Sequence, residues 1–338
     1  PPALSTDAPT PTPATPQIAE AASMRTAVEA FPSALRGRPF RVREALRRGV
    51  TASSLRTKML YRPFHGIRCW APPADHEQRA RAVLPRLRPD QVFSHTTAAV
   101  ILGVPLPRRL ERDHRIHVST IGKDQSIRVR GTIGHRVRAD RVRVVHSGTA
   151  RLTHPADTFV MLAGLLRMDE LIIAGDALVG QLRWCTVDEL RAAARRHRGA
   201  RGIRKVRAAL REVRPGSRSP GETRLRLALT RRGLPEPLRN HDVVVDGRWV
   251  ACVDLAYPEA RVAIEYESDL HRTDDRAFKK DLTRGENLKD VDWWLVRATA
   301  DDVGPSVERF VARVRRLLTV GAAGRHDSRP RGRPASVW

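Results

Sequence analysis

The chain has 338 residues, is 41% hydrophobic and 29% charged, and sets 62 Lys+Arg against 37 Asp+Glu for a formal net charge of +25. That is ample apolar content for two domains, or three small ones, and the cationic excess fits a polyanionic partner, nucleic acid first, or an Arg-rich coding composition. Cys69, Cys185 and Cys252 lie far apart, which excludes a CxxC zinc knuckle and a disulfide framework and fits a reducing cytoplasm; FVMLAGLL, the best apolar run, is cut short by RMDE and excludes a bilayer span, and no signal peptide opens the chain.

Residues 1–23, rich in Pro, Thr and Ala, are expected to be disordered, with Met24 a candidate start. Residues 24–75 read as a winged-helix-like DNA-binding domain. RVREALRRGV puts Val42, Ala45 and Leu46 at helical spacing and ends at Gly49. TASSLRTKMLY follows, with Thr51 as N-cap and Leu55, Met59 and Leu60 on one face. Two short helices joined at a glycine, the second carrying Arg56 and Lys58, suit a helix-turn-helix, and RPFHGIRCWAP, with Arg62, suits a hairpin wing. A helical pair that only packs on its neighbour fits the pattern as well.

Residues 76–185 read as a mixed α+β middle domain. HEQRARAVLPRL is helical in pattern, and VFSHTTAAVILGVPLP suggests a helix ending near Gly103. RIHVSTIG, IRVRGTIGHRV and RVRVVHSG alternate apolar and basic residues as half-buried strands do. Their rows of Arg128, Arg130, Arg136, Arg138, Arg141 and Arg143 suit either phosphates or a solvated face. His95, His114, His117 and His135 lack metal-ligand spacing and read as surface or core histidines. HPADTFVMLAGLL and MDELIIAGDALV read as packed helices, and 186–216 as a basic helical linker broken at Gly199–Gly202, with a boundary near 216.

From Ser219 the order is helix, three strands, helix, strand, helix. Ser219 caps a helix with Pro220 just inside, and Gly233 stops it. Asp246–Gly247 turns a hairpin, RVAIEYE is the third strand, WWLVRAT the fourth with Trp293 and Trp294 as core residues, and SVERFVARVRRLL the closing helix. Residues 319–338 read as a disordered basic tail. A turn at Glu259–Ala260 sets Asp254 opposite Glu265, and alternation puts Glu267 on the same face as Glu265. Such carboxylates repel one another unless a cation or a proton intervenes, or Arg248, Arg261 or Arg297 neutralises them. With oxygen donors alone, the matching ion is Mg²⁺ or Mn²⁺.

An acid on a leading helix followed by D-x(n)-E-x-(acid or Lys) across a hairpin resembles the PD-(D/E)XK nuclease core. SPGETRLRLAL, GLPEP, VDLAYPEARVAIEYE, HRTD and KKDLTRGENL…WWLVRAT more closely resemble the actinobacterial branch related to very-short-patch-repair endonucleases, over about 217–318. Residues 30–72 resemble, more weakly, the winged-helix part of AbiEi-type antitoxins. The resemblance implies an α/β (α+β) chain with a C-terminal restriction-endonuclease-like mixed sheet flanked by helices, behind the small winged-helix and mixed α+β domains. It implies Asp254 and Glu265 as ligands of Mg²⁺ or Mn²⁺, with Glu222 orienting a water or a second ion. Glu267 takes the place of Lys or Asp, and His271 is a general base or acid. Lys280 and Arg284 stabilise the phosphorane or position the backbone, so both can touch DNA. EYES replaces the usual EYDG, so Glu267 is a methylene longer, Ser268 replaces a glycine, and Asp269 becomes an alternative donor.

The expected function is therefore a metal-dependent DNA endonuclease of repair or defence, cytoplasmic and not membrane-bound. One site per chain would favour a homodimer for cutting both strands. The rival is a non-catalytic DNA-binding regulator that keeps the nuclease fold as scaffold.

Overall fold

The structure is a computed structural model that describes residues 28–29, 31–267 and 285–326, with side chains as far as 321. The expected tail at 1–23, His271, Lys280 and Arg284 lie outside the described residues. The architecture is mixed α+β, with sheets of two, five and four strands flanked by helices. The chain divides into two compact units, residues 1–93, 113–137 and 146–151 in the first and 94–112, 138–145 and 152–338 in the second. The expected boundary near 216 does not separate units; it falls inside the second.

In the first unit, strand β1 (Phe40–Arg41) leads directly into helix α1 (Val42–Arg47), and β2 (Ile67–Arg68) pairs back antiparallel on β1. Tyr61 bridges Cys69, so residues 61–69 do turn back on themselves as the wing pattern suggests. The second helix does not form as expected over 51–61: only a 3-10 turn, Ser54–Arg56, appears. The Thr51 hydroxyl accepts the Ser54 N–H at 3.1 Å and bonds the Ser53 and Ser54 hydroxyls, a local alternative to the helical ladder. Phe31, Leu35, Phe40, Ala45, Val50, Leu55 and Leu60 make the small core, with Trp70 edge-on to Phe31.

Helix α2 (His76–Val83) starts at Asp75, whose carboxylate accepts the Gln78 N–H at 2.7 Å. Strands β3 (Gln91–Phe93), β4 (Ile116–Ile121), β5 (Thr132–Val137), β6 (Val144–Ser147) and β7 (Ala150–Thr153) form the five-stranded sheet in the order β5-β4-β3-β7-β6. Strand β4 is antiparallel to β3 and parallel to β5, with Ser119 opposite His135.

The second unit contains α3 (His95–Ile101), α4 (Arg108–Glu111), α5 (Pro155–Leu162), α6 (Met168–Val179), α7 (Val187–Arg196) and α8 (Ile203–Glu212). Helix α7 opens on a reciprocal cap between Thr186 and Glu189. Buried Asp157 on α5 gathers Arg196 at 2.7 Å, His197 at 3.1 Å and the Arg143 backbone N–H at 2.9 Å. Arg138 pairs with Asp140 at 2.9 Å and Arg143 Nε lies 3.8 Å from Asp157, so two of the expected outward arginines are held by acids.

Helix α9 (Pro220–Thr230) follows Ser219 as expected, the serine oxygen accepting the Glu222 N–H at 3.2 Å. On it, Arg226 is 2% exposed and meets Asp176 of α6 at 2.8 Å. Strands β8 (Leu238–Val245) and β9 (Arg248–Tyr257) form the hairpin, and Asp246 and Gly247 both take positive φ, at 49° and 74°. That is the turn an Asp-Gly pair favours. A 3-10 turn, Pro258–Ala260, leads to β10 (Val262–Tyr266), and β11 (Trp294–Ala298) lies parallel to β10. Residues 285–290 are helical, which matches the end of the expected crossover helix.

The sheet order is β11-β10-β9-β8. Leu225, Leu229, Leu255, Val262, Ile264, Val296, Phe310 and Val314 fill one core; Val243, Ala251, Val253, Ala263, Leu288 and Trp293 fill the other. Trp293 is 9% exposed as expected, whereas Trp294 is 54% exposed and does not pack the core. The closing helix α10 (Val307–His326) runs through residues 319–326, part of the expected disordered tail. No helix among the described residues is long and apolar enough to cross a membrane.

Candidate functional site

The strand registers draw the acids into one row. Val262 lies opposite Tyr257 and Ile264 opposite Leu255, so one further step sets Glu265 opposite Asp254, as the hairpin pattern predicts. Across β8 and β9, Arg239 faces Leu255 and His241 faces Val253, which brackets Asn240 opposite Asp254. On the other side, Glu265 faces Arg297 of β11. A polar line, Asn240–Asp254–Glu265–Arg297, therefore crosses all four strands. Asp254 is fixed by the Tyr266 backbone N–H, which donates to Oδ2 at 2.9 Å. Glu265 is 6% exposed.

Glu222 comes to this row from the first turn of α9. Its Oε2 accepts the Arg218 backbone N–H at 2.8 Å and the Asn240 side-chain amide at 3.3 Å. The same amide donates to the Gly216 carbonyl. Ser-Pro-Gly-Glu has the capping-box pattern, but only the serine half forms: Ser219 Oγ accepts the Glu222 N–H, while the Glu222 carboxylate reaches the Arg218 N–H, one residue before the cap. Capping alone leaves its electrostatics unexplained. Glu222 is 5% exposed, and burial first, then the Asp254 charge, raise its pKa above the ordinary carboxyl value. A buried acid destabilised by a second acid is what a cation relieves.

The donors are all oxygen and suit a hard divalent ion. Among the described residues, Glu222, Asp254 and Glu265 do not bring one oxygen each to within 4.8 Å of one another. Asp254 and Glu265 are the pair across the ladder that would hold an ion, with Glu222 beside Asp254 setting the local charge. Glu267 is joined to Arg297 Nε at 3.2 Å, one of the neutralising pairs expected for the cluster, whereas Arg261 meets Asp292 at 3.6 Å, outside it.

Arg56, Lys58 and Arg62, the expected DNA contacts, are all exposed in the first unit. Arg62 Nη2 donates to the Arg56 carbonyl at 3.2 Å, which keeps two of the three together.

The sequence reading misses Asn240 and Gly221. Asn240 holds a left-handed backbone, φ 44°, and its amide ties β8 to the segment before α9. Gly221 leaves the space that the Tyr266 ring fills. A glycine inside the first turn of an otherwise regular helix is the signal that points to such a close approach. His117 and His135 are also missed as a pair: spacing alone does not show that parallel strands set their rings 5.1 Å apart.

No protein-family model matches the chain, and no solved structure matches it significantly. It is 32% identical over 198 residues to the uncharacterized proteins MT2308 and Rv2248 of two Mycobacterium tuberculosis strains, an overlap of 58% of this chain and 72% of theirs. The chain belongs to their family.

Proposed function

We propose that the chain is a Mg²⁺- or Mn²⁺-dependent DNA endonuclease with a restriction-endonuclease-like C-terminal sheet, acting in DNA repair or defence. The row Asn240–Asp254–Glu265–Arg297 with buried, charge-stressed Glu222 beside Asp254 is the observation that carries this reading. Asp254 and Glu265 would hold the ion, which when bound polarises a scissile phosphate and lowers the pKa of the attacking water. Asn240 orients Glu222, and Tyr266 orients Asp254 through its backbone. The exposed Arg56, Lys58 and Arg62 are the proposed contacts of the first unit to the DNA backbone, in keeping with the net charge of +25. Free Cys69, Cys185 and Cys252 support a reducing, cytoplasmic setting, and a homodimer would cut both strands.

A second reading, a DNA-binding regulator on a nuclease scaffold, is favoured by one contact. Glu267 stands where relatives of the nuclease core place Lys or Asp, and it is engaged by Arg297. Plasmid cleavage by purified protein with Mg²⁺ or Mn²⁺, beside Asp254→Ala/Glu265→Ala, separates the two. Cutting by the wild type alone supports the nuclease. Equal DNA binding by both proteins, with no cutting of duplex, mismatched or single-stranded substrates, overturns it in favour of the regulator.

A further inference from the structure

We propose that His117 and His135 bind a transition-metal cation of the Zn²⁺ or Co²⁺ class between the parallel strands β4 and β5, a site separate in place and chemistry from the carboxylates of the four-stranded sheet. His117 Nδ1 and His135 Nε2 lie 3.0 Å apart, and the rings are stacked with 22° between their planes. An ion with bonds of about 2.0–2.1 Å and N–metal–N angles between square and tetrahedral needs two nitrogens about 2.9–3.4 Å apart. The observed separation falls within that bite.

The scaffold suits a fixed pair. Both histidines sit on strands joined in register from Ile116–Thr132 to Ile121–Val137. Beside His135, Gly134 lets Ile127 pass so close that a Cβ there would lie 2.6 Å from the Ile127 carbonyl oxygen. This close crossing restrains the backbone that carries the ring. His117 is 4% exposed, so it is held by its surroundings and not by solvent.

The protonation balance also closes. A neutral imidazole has one N–H and one lone pair. The ring that donates in the 3.0 Å contact moves its proton to its other nitrogen, and both lone pairs then face the ion with no net proton released. Imidazole nitrogen favours Zn²⁺, Co²⁺ or Ni²⁺ over the Mg²⁺ that oxygen donors select. Two protein ligands leave the remaining coordination positions for further donors, water among them.

Titration of the metal-free full chain with Co²⁺, followed by visible d–d absorption, tests the site. In the Asp254→Asn/Glu265→Gln background, which removes the carboxylate pair as a competing Co²⁺ site, one Co²⁺ per chain should absorb, and adding His117→Asn or His135→Gln should weaken that binding at least tenfold. Circular dichroism verifies the fold of each variant. Should either histidine variant fail to fold, the ring resonances of isotope-labelled wild type give the answer, because only direct ligands show large hyperfine shifts. No Co²⁺ absorption by the folded Asp254→Asn/Glu265→Gln chain, unchanged binding in both histidine variants, or unshifted His117 and His135 rings would overturn the proposal.

Discussion

Tyr266 gives its backbone N–H to Asp254 Oδ2 at 2.9 Å, while its ring fills the space above Gly221. One residue therefore positions an acid of the row through its main chain and the start of α9 through its side chain. Gly221→Ala forces ring and helix apart. The expected cost is about 1–3 kcal/mol, typical of overpacking, read as a lower midpoint in urea unfolding. Any Mg²⁺-dependent cleavage should fall with it, because Glu222 is the next residue along the displaced turn.

The pKa of Glu222 is raised by burial and then by Asp254. Between the unfolded value, near 4.5, and the raised folded value, the native chain retains a proton that the unfolded chain releases. The stability this provides is full below the unfolded value and is lost as pH rises through the folded one. Glu222→Gln keeps an oxygen for the Arg218 N–H and removes the charge. It should be more stable than wild type at neutral pH, and the two should converge in acid. Urea titrations at pH 4 and 7.5 check both limbs. Added Mg²⁺ should stabilise the wild type more than the variant.

His117 has the opposite sign. Burial first, then His135, push its pKa down from 6.5 to about 4, with Arg115 and His76 adding to the shift and Asp113 opposing it. A depressed histidine contributes stability that is full above its unfolded pKa and lost as pH falls towards the folded one. The loss on acidification should reach about 3 kcal/mol, since one pKa unit is worth about 1.4 kcal/mol. His117→Asn should flatten the acid limb of unfolding free energy between pH 7 and 4, measured by circular dichroism in urea.

Arg226 and Asp176 form a pair almost out of contact with solvent, at 2.8 Å, and Asp176 also accepts from Thr223 at 3.0 Å and from the Arg214 backbone at 2.7 Å. Removing one partner leaves the other charge buried. Arg226→Met should cost about 3–5 kcal/mol, and adding Asp176→Leu should recover part of that loss. A double-mutant cycle in urea measures the coupling directly. No recovery would place the weight of the site on the Thr223 and Arg214 bonds.

The parts of the fold legible in the sequence are those set by local chemistry. Ser219 and Pro220 mark the start of α9, Asp246–Gly247 marks the β8–β9 turn, and alternation on either side of a short turn places Asp254 against Glu265. Local chemistry also explains the missing second helix, once the hydroxyls of Thr51, Ser53 and Ser54 are seen to bond one another. The illegible parts join distant segments. Asn240 meets Glu222 through a side-chain amide, and Arg226 meets Asp176 across 50 residues. The Pro, Gly and Ser cluster near 216 suggests a linker. The backbone oxygens of Pro215 and Gly216 instead accept from Arg239 and Asn240, so the stretch is tied to β8.

The bulge that β9 makes against β8, with Val250 the extra residue between the Val243–Ala251 and Val244–Trp249 pairs, bears on how copies of the chain meet. Strand β8 is an edge, and a flat edge invites a neighbour to add a strand. Here Asn240 interrupts the outer hydrogen-bonding row with its left-handed backbone, and the extra residue on β9 adds local twist to the border. Strand-to-strand association is therefore disfavoured along this border. Self-association on this side of the sheet would have to use side-chain surface, and exposed Val244 and Trp249 offer it beside the Asp246–Gly247 turn.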